Sequence, residues 1–141
     1  MNILFDTNVV LDLVLDREPD VKYAEALFSL VEAKFIIGFL GATTITTIHY
    51  LSRKTIGLQK TKKVIGKLLD LFEIAPVNHS VLKKALDSNW KDFEDAVLYQ
   101  SAINCKIEAI VTRNVVDFKK SDIPVYLPKD ILPSLSSSQN S

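Results

Sequence analysis

Two rhythms of apolar spacing alternate along the chain. Asn2 to Phe5 is a short apolar run closed by an acid and predicts a strand. From Thr7 the spacing turns helical, with Val9, Val10, Leu13 and Val14 on one side and Asp6 or Thr7 as the N-cap. Pro19 then opens a second helix whose stripe is Ala24, Leu27, Phe28 and Val31. Phe35 to Leu40 reads as a buried strand that ends before Gly41. A third helix is expected from Thr43 or Thr44 to about Thr55, stopped by Gly57. A fourth starts near Gln59, with Val64, Ile65, Leu68, Leu69 and Phe72 as its buried face.

The second half repeats the alternation. Glu73 to Val77 predicts a short strand and Ser80 to Ser88 a short helix. Asp92 caps the next helix, which carries Ala96, Val97, Tyr99, Gln100 and Ile103. Glu108 to Thr112 is a strand, Asn114 to Phe118 a turn of helical character, and Pro124 to Leu127 a last strand. Short apolar strands separated by helices imply an α/β fold, a small central parallel sheet flanked by helices. In such sheets, sites form beyond the carboxyl ends of the strands. Asp6 follows the first strand in this way, and Asn114 and Asp117 lie just beyond the strand ending at Thr112.

With 141 residues and no internal repeat, one domain is expected over residues 1–133, followed by a Ser-rich tail at 134–141 expected to be disordered. The formal net charge is +0, so global charge does not mark a nucleic-acid reader and only local clustering can. Cys105 is the one cysteine, which excludes an intrachain disulfide and makes a cytoplasmic setting the simpler expectation. No signal peptide is visible, and the apolar runs are shorter than a membrane span requires.

The acids carry the candidate chemistry. Asp6 as a bland N-cap would satisfy a helix amide and nothing more, which is the lesser reading. Asp92 and Asp95 are three apart, which puts both on one side of a first helical turn with Glu94 rotated away; acids there also favour the helix dipole. Asp117 alone reads as a turn residue. Gathered at one end of a sheet, these carboxylates repel one another unless a cation neutralises them. A hard ion such as magnesium suits them, since it takes oxygen ligands and keeps several waters. His49 and His79 are isolated and offer no softer site.

The segments Asp6-Thr7-Asn8-Val9-Val10-Leu11-Asp12, Asp92-Phe93-Glu94-Asp95-Ala96-Val97 and Val111-Thr112-Arg113-Asn114-Val115-Val116-Asp117-Phe118 resemble the three signature regions of PIN domains. The resemblance covers nearly the whole chain apart from the tail. It implies a PIN-like, Rossmann-type three-layer sandwich and a Mg²⁺- or Mn²⁺-dependent ribonuclease, many relatives being VapC-type toxins of toxin–antitoxin pairs. By the same resemblance Asp6, Asp95 and Asp117 hold the metal, Asp92 accompanies them in catalysis, and Asn8, Thr112 and Asn114 orient the acids. The implied partners are an RNA substrate and an antitoxin protein. A homodimer is a further expectation, because Leu27, Val31 and Ile48 to Leu51 exceed what one small core obviously needs.

One position departs from the family. An acid, most often Glu, stands early in the third helix of PIN domains, whereas this chain reads Thr46-Thr47-Ile48-His49-Tyr50-Leu51. Thr47 offers a hydroxyl and no charge. An RNA- or protein-binding module on a weakened nuclease site is therefore the alternative; a phosphatase-like hydrolase lacks its Asp-x-Asp nucleophile motif. For the nucleic acid, the acid-free stretch with Arg53, Lys54, Lys60, Lys62, Lys63 and Lys67 is the candidate surface, with a solvated helix face as the bland reading. Arg113 is a further candidate phosphate contact. Trp90, just before Asp92, reads as an anchor for the helix start, with base stacking as the alternative.

Overall fold

A computed structural model describes residues 1–139. The strands are β1 (Asn2–Phe5), β2 (Ile37–Gly41), β3 (Glu73–Ala75), β4 (Ala109–Val111) and β5 (Val125–Tyr126). The helices are α1 (Thr7–Val14), α2 (Val21–Glu32), α3 (Ala42–Ile56), α4 (Leu58–Leu71), α5 (His79–Leu86), α6 (Phe93–Ile103) and α7 (Pro128–Gln139), with a 3₁₀ turn at Val115–Phe118. All strand pairings are parallel, in the order β3-β2-β1-β4-β5. The chain walks from β1 outward through β2 to β3, then returns to the other side of β1 for β4. Strand order therefore reverses between β1 and β4, which makes the crevice beyond their carboxyl ends the natural place for a site.

Alternation along β1 divides the core between the two faces. Ile3 and Phe5 face a cluster built with α1, α2, α3, α4 and α7, where Phe5, Phe28 and Phe72 meet edge to face at centroid distances of 5.1–5.7 Å. Leu4 points the opposite way, with Ile110, into a cluster completed by Leu98, Tyr99 and Ala102 of α6 and by Phe118. The result is a three-layer sandwich. Gly41 lets α6 come close to β2, since a Cβ there would meet Leu98 Cδ1 at 2.6 Å. Among the described residues no helix is long and apolar enough to cross a membrane.

Packing changes several details of the sequence-based picture. Residues 134–139 are helical rather than disordered: α7 runs through Pro133 to Gln139, and Leu135 is buried with Ile131 in the main core. A serine run disfavours a helix only weakly, and burial of two apolar side chains four apart overrides it. Asn140 and Ser141, the end of the expected tail, lie outside the described residues. Leu69, expected on the buried face of the fourth helix, is half exposed. The apolar surplus on which a homodimer was expected is consumed in this one core, because Leu27, Val31 and Ile48 are all buried; only Tyr50 of that set stands in solvent.

Candidate active site

Asp6 is placed by the end of β1. Its backbone N–H donates to Val111 O at 2.9 Å, which carries the β1–β4 pairing one step beyond the strands. Its side chain is then committed from several sides. Oδ1 accepts from the Thr7 N–H at 2.7 Å, as the cap of α1, and Oδ2 accepts from the Thr112 hydroxyl at 2.7 Å and from Asn8 Nδ2 at 3.2 Å. Thr112 is fully buried and its oxygen also accepts from Asn8 Nδ2 and the Asn114 N–H. Asn8 in turn accepts from the Arg113 N–H. Asn8, Thr112 and the Asn114 backbone thus form a polar frame that fixes one carboxylate.

Asp6, Asn8, Asp92, Asp95, Asn114 and Asp117 line one cavity of about 300 Å³ beyond the sheet. Asp92 caps α6, accepting from the Asp95 N–H at 2.9 Å, and the cap aims that helix's first turn at the cavity. Asp117 reaches it from the 3₁₀ turn after β4. The carboxylates feel one another. Burial raises the proton affinity of Asp95, and Asp92, Asp6 and Asp117 raise it further, so that its pKa reaches about 7. Burial likewise raises that of Asp6 against the lowering effect of its Thr112, Thr7 and Asn8 hydrogen bonds, with Asp117 adding to the rise.

Several lining residues lie outside the sequence-based candidates. Glu94 shares the cavity, contrary to the expectation that it rotates away. Leu98, one turn beyond Glu94 and Asp95, lines it as well, so the cavity runs along the flank of α6 that Glu94 and Asp95 share. Thr43 and Thr44 contribute the start of α3, with the Thr44 hydroxyl 3.0 Å from that of Thr7. Arg17, in the loop after α1, is the one cation among the described lining residues, and nothing in its local sequence marks it.

Other sequence candidates are placed elsewhere. Thr47 does not line the cavity, although it sits four residues beyond Thr43 and three beyond Thr44. Arg113, expected to meet phosphate, turns instead to Asp12: Nε lies 2.7 Å from Asp12 Oδ2, and Asp12 is 1% exposed. A buried carboxylate needs that guanidinium more than solvent does. Arg53, Lys54, Lys60, Lys62, Lys63 and Lys67 are exposed but none lines the acidic cavity. Arg53 lies roughly 14 Å along α3 from Thr44, Lys54 sits over the Tyr50 ring, and Lys67 borders a separate groove between α1, α2 and α4.

A PIN-domain family model matches residues 2–116. The chain belongs to the PIN-domain family. That is a family of nucleases, and its α/β fold is the one described above. Solved structures agree. A toxin–antitoxin complex from Klebsiella pneumoniae contains a chain 25% identical to this one, with a TM-score of 0.66, covering 89% of this chain and 97% of that one. VapBC2 from Rickettsia felis, bound to a DNA fragment from its promoter, gives 16% identity and a TM-score of 0.66 over 90% and 98%. VapC20 from Mycobacterium tuberculosis, a sarcin–ricin loop cleaving toxin, gives 14% and 0.61 over 77% and 86%. No curated protein matches the sequence.

The PIN nucleases generally use divalent metal ions. The donor set here is all carboxylate and amide oxygen, which suits a hard cation. Among the described residues no three acidic, histidine or cysteine side chains stand close enough to share one ion directly. The fit is therefore to an ion that keeps several waters and takes one or two carboxylates, as magnesium does. Asp6 suits direct contact, since Oδ1 accepts a single hydrogen bond and keeps a lone pair.

Proposed function

We propose that this protein is an endoribonuclease dependent on Mg²⁺ or Mn²⁺, acting on single-stranded or structured RNA as the toxin of a toxin–antitoxin pair. The observation that carries the reading is the convergence of Asp6, Asp92, Asp95 and Asp117 on one cavity at the β1/β4 reversal, where burial and the neighbouring carboxylates raise the proton affinity of Asp95 and of Asp6. Likeness to the chain in the Klebsiella pneumoniae toxin–antitoxin complex supports the toxin role and an antitoxin protein as partner.

Asp6, fixed by Thr112 and Asn8, would hold the ion directly, and Asp95 and Asp117 would hold it through its waters. The bound ion supplies electrophilic polarisation of the phosphoryl group and makes water a better nucleophile. The Asp95 carboxylate, facing the same cavity, would take the proton of the attacking water. Arg17 meets the phosphate's charge from across the cavity. Asn114 and Asp92 hold the cavity's rim.

A PIN-like RNA- or protein-binding module with a weakened centre is the second reading, favoured by Thr47 in place of the family's acid. Cleavage of a single-stranded RNA pool with Mn²⁺ and with EDTA separates the two. The proposal requires cleavage that EDTA and Asp6→Asn both abolish. Cleavage persisting in EDTA, or no cleavage by pure wild type with Mn²⁺, overturns it.

A further inference from the structure

We propose that a second cavity, between the start of α6 and the Val115–Phe118 turn, binds the nucleotide next to the scissile phosphate. Its base lies against Trp90 and its phosphate between Lys91 and Lys119. The inference rests on the ribonuclease reading of the neighbouring site and adds to it the path of the strand.

This slot, of about 210 Å³, shares Asp92, Asp95 and Asp117 with the acidic cavity, so the two form one continuous surface. Its other walls have a different chemistry. Trp90 is held rigidly, stacked on Tyr99 at 4.7 Å and edge-on to Phe118 at 5.6 Å, while still lining the slot. Val116 stands on the lip 76% exposed, an apolar side chain with no place in the core.

Lys91 and Lys119 are exposed lining residues, and neither belongs to an ion pair of the described residues, which are Lys83–Asp87, Arg113–Asp12 and Arg113–Asp20. The third lysine, Lys120, is already engaged with Asn89 O. Unpaired cations beside an immobile aromatic surface are what sequence-tolerant binding of a single strand requires: the cations follow the backbone and the ring stacks a base. They also counter the repulsion between the acids and the incoming phosphate. On α3 and α4 the exposed Tyr50 ring is already covered by Lys54, and no basic residue of these helices lines the acidic cavity.

Trp90 is the only tryptophan, so its fluorescence reports occupancy of the slot alone. The experiment titrates a labelled single-stranded oligoribonucleotide into the full chain in Ca²⁺, reading anisotropy for binding anywhere and Trp90 quenching for the slot. Both signals are expected to share one midpoint. Lys91→Glu, Lys119→Glu and Val116→Glu, all surface changes, should each weaken both by roughly 5-fold or more. The two lysine changes should also reduce the log–log salt slope by about 0.7 for each phosphate no longer neutralised. Lys60→Glu/Lys62→Glu/Lys63→Glu should leave the Trp90 midpoint within about twofold.

RNA binding without quenching, or quenching indifferent to Lys91 and Lys119, overturns the slot while leaving Mn²⁺-dependent cleavage and the nuclease reading intact. Equal quenching by an acidic peptide assigns the slot to a protein and also overturns it. If the chain neither binds nor cuts RNA, the nuclease reading falls and the slot with it.

Discussion

Asp6 and Thr112 lie 106 positions apart in the chain, yet the Thr112 hydroxyl donates a 2.7 Å hydrogen bond to Asp6 Oδ2. The contact exists because β1 and β4 are parallel neighbours whose carboxyl ends stand level, with Phe5 opposite Val111. It fixes the cavity's one buried acid, and it leaves Thr112 no other role, since the same oxygen accepts from Asn8 and from the Asn114 N–H. Thr112→Val preserves shape and removes all three bonds. It should cost about 1–3 kcal/mol of stability, read from urea midpoints, and lower cleavage at least tenfold. A variant with wild-type activity would show that Asp6 needs no frame.

The metal-free protein should lose stability as pH rises from about 4 to 7. Asp95 has its folded pKa raised to about 7 from an ordinary 3.8, so in that interval the folded state holds a proton that the unfolded state has released. Below it both states are protonated and the full contribution is present; above it both are ionised and the curve levels. Asp6, raised in the same direction, adds to the fall. Asp95→Asn should flatten the slope and raise the metal-free Tm at pH 8. Thermal melts in EDTA across this range decide it, and a slope unchanged in Asp95→Asn would contradict the assignment.

Thr47→Glu should tighten Mn²⁺ binding. Position 47 follows Thr43 by four and Thr44 by three, which puts all three on one face of α3, and helical side chains lean toward the N-terminus. A longer acid at 47 therefore points back toward the cavity that Thr43 and Thr44 line. An affinity gain of roughly tenfold, about 1.4 kcal/mol, is expected from Glu and none from Thr47→Gln. Equal behaviour of the two variants would remove the charge argument.

Arg113→Met should destabilise the fold more than it slows cleavage. It strands Asp12, which is 1% exposed and has a second carboxylate oxygen with no partner among the described residues. The expected loss is about 3 kcal/mol at pH 7.5. It should be smaller at pH 4.5, because burial already raises the Asp12 pKa against the pull of Arg113 and protonation removes the stranded charge. Denaturation at the two pH values checks this; the same loss at both would mean that Arg113 acts by packing alone.

What the sequence showed and what it hid follow from the range of each interaction. β1 and Asp6 were legible because an apolar run closed by an acid is a local pattern, and so was the Asp92 cap, whose bond spans three residues. The Arg113–Asp12 pair spans 101 positions and left no local trace, so a buried tie looked like a free cation. Helix α7 was hidden for a related reason: its serines have weak helical preference, and the core that receives Ile131 and Leu135 is assembled from distant elements. Arg17 enters the cavity from a loop, where no periodicity assigns a direction.

The carboxylates that raise the proton affinity of Asp95 and Asp6 converge on this cavity, in the reading proposed above, to hold a divalent ion. Counting free Mn²⁺ by its paramagnetic signal, in titrations of wild type, Asp6→Asn and Asp95→Asn at pH 7.5, tests it most directly. The account predicts one saturable site in wild type, weakened at least tenfold by either substitution although Asp95→Asn melts higher without metal. Mn²⁺ affinity equal in all three proteins would contradict it.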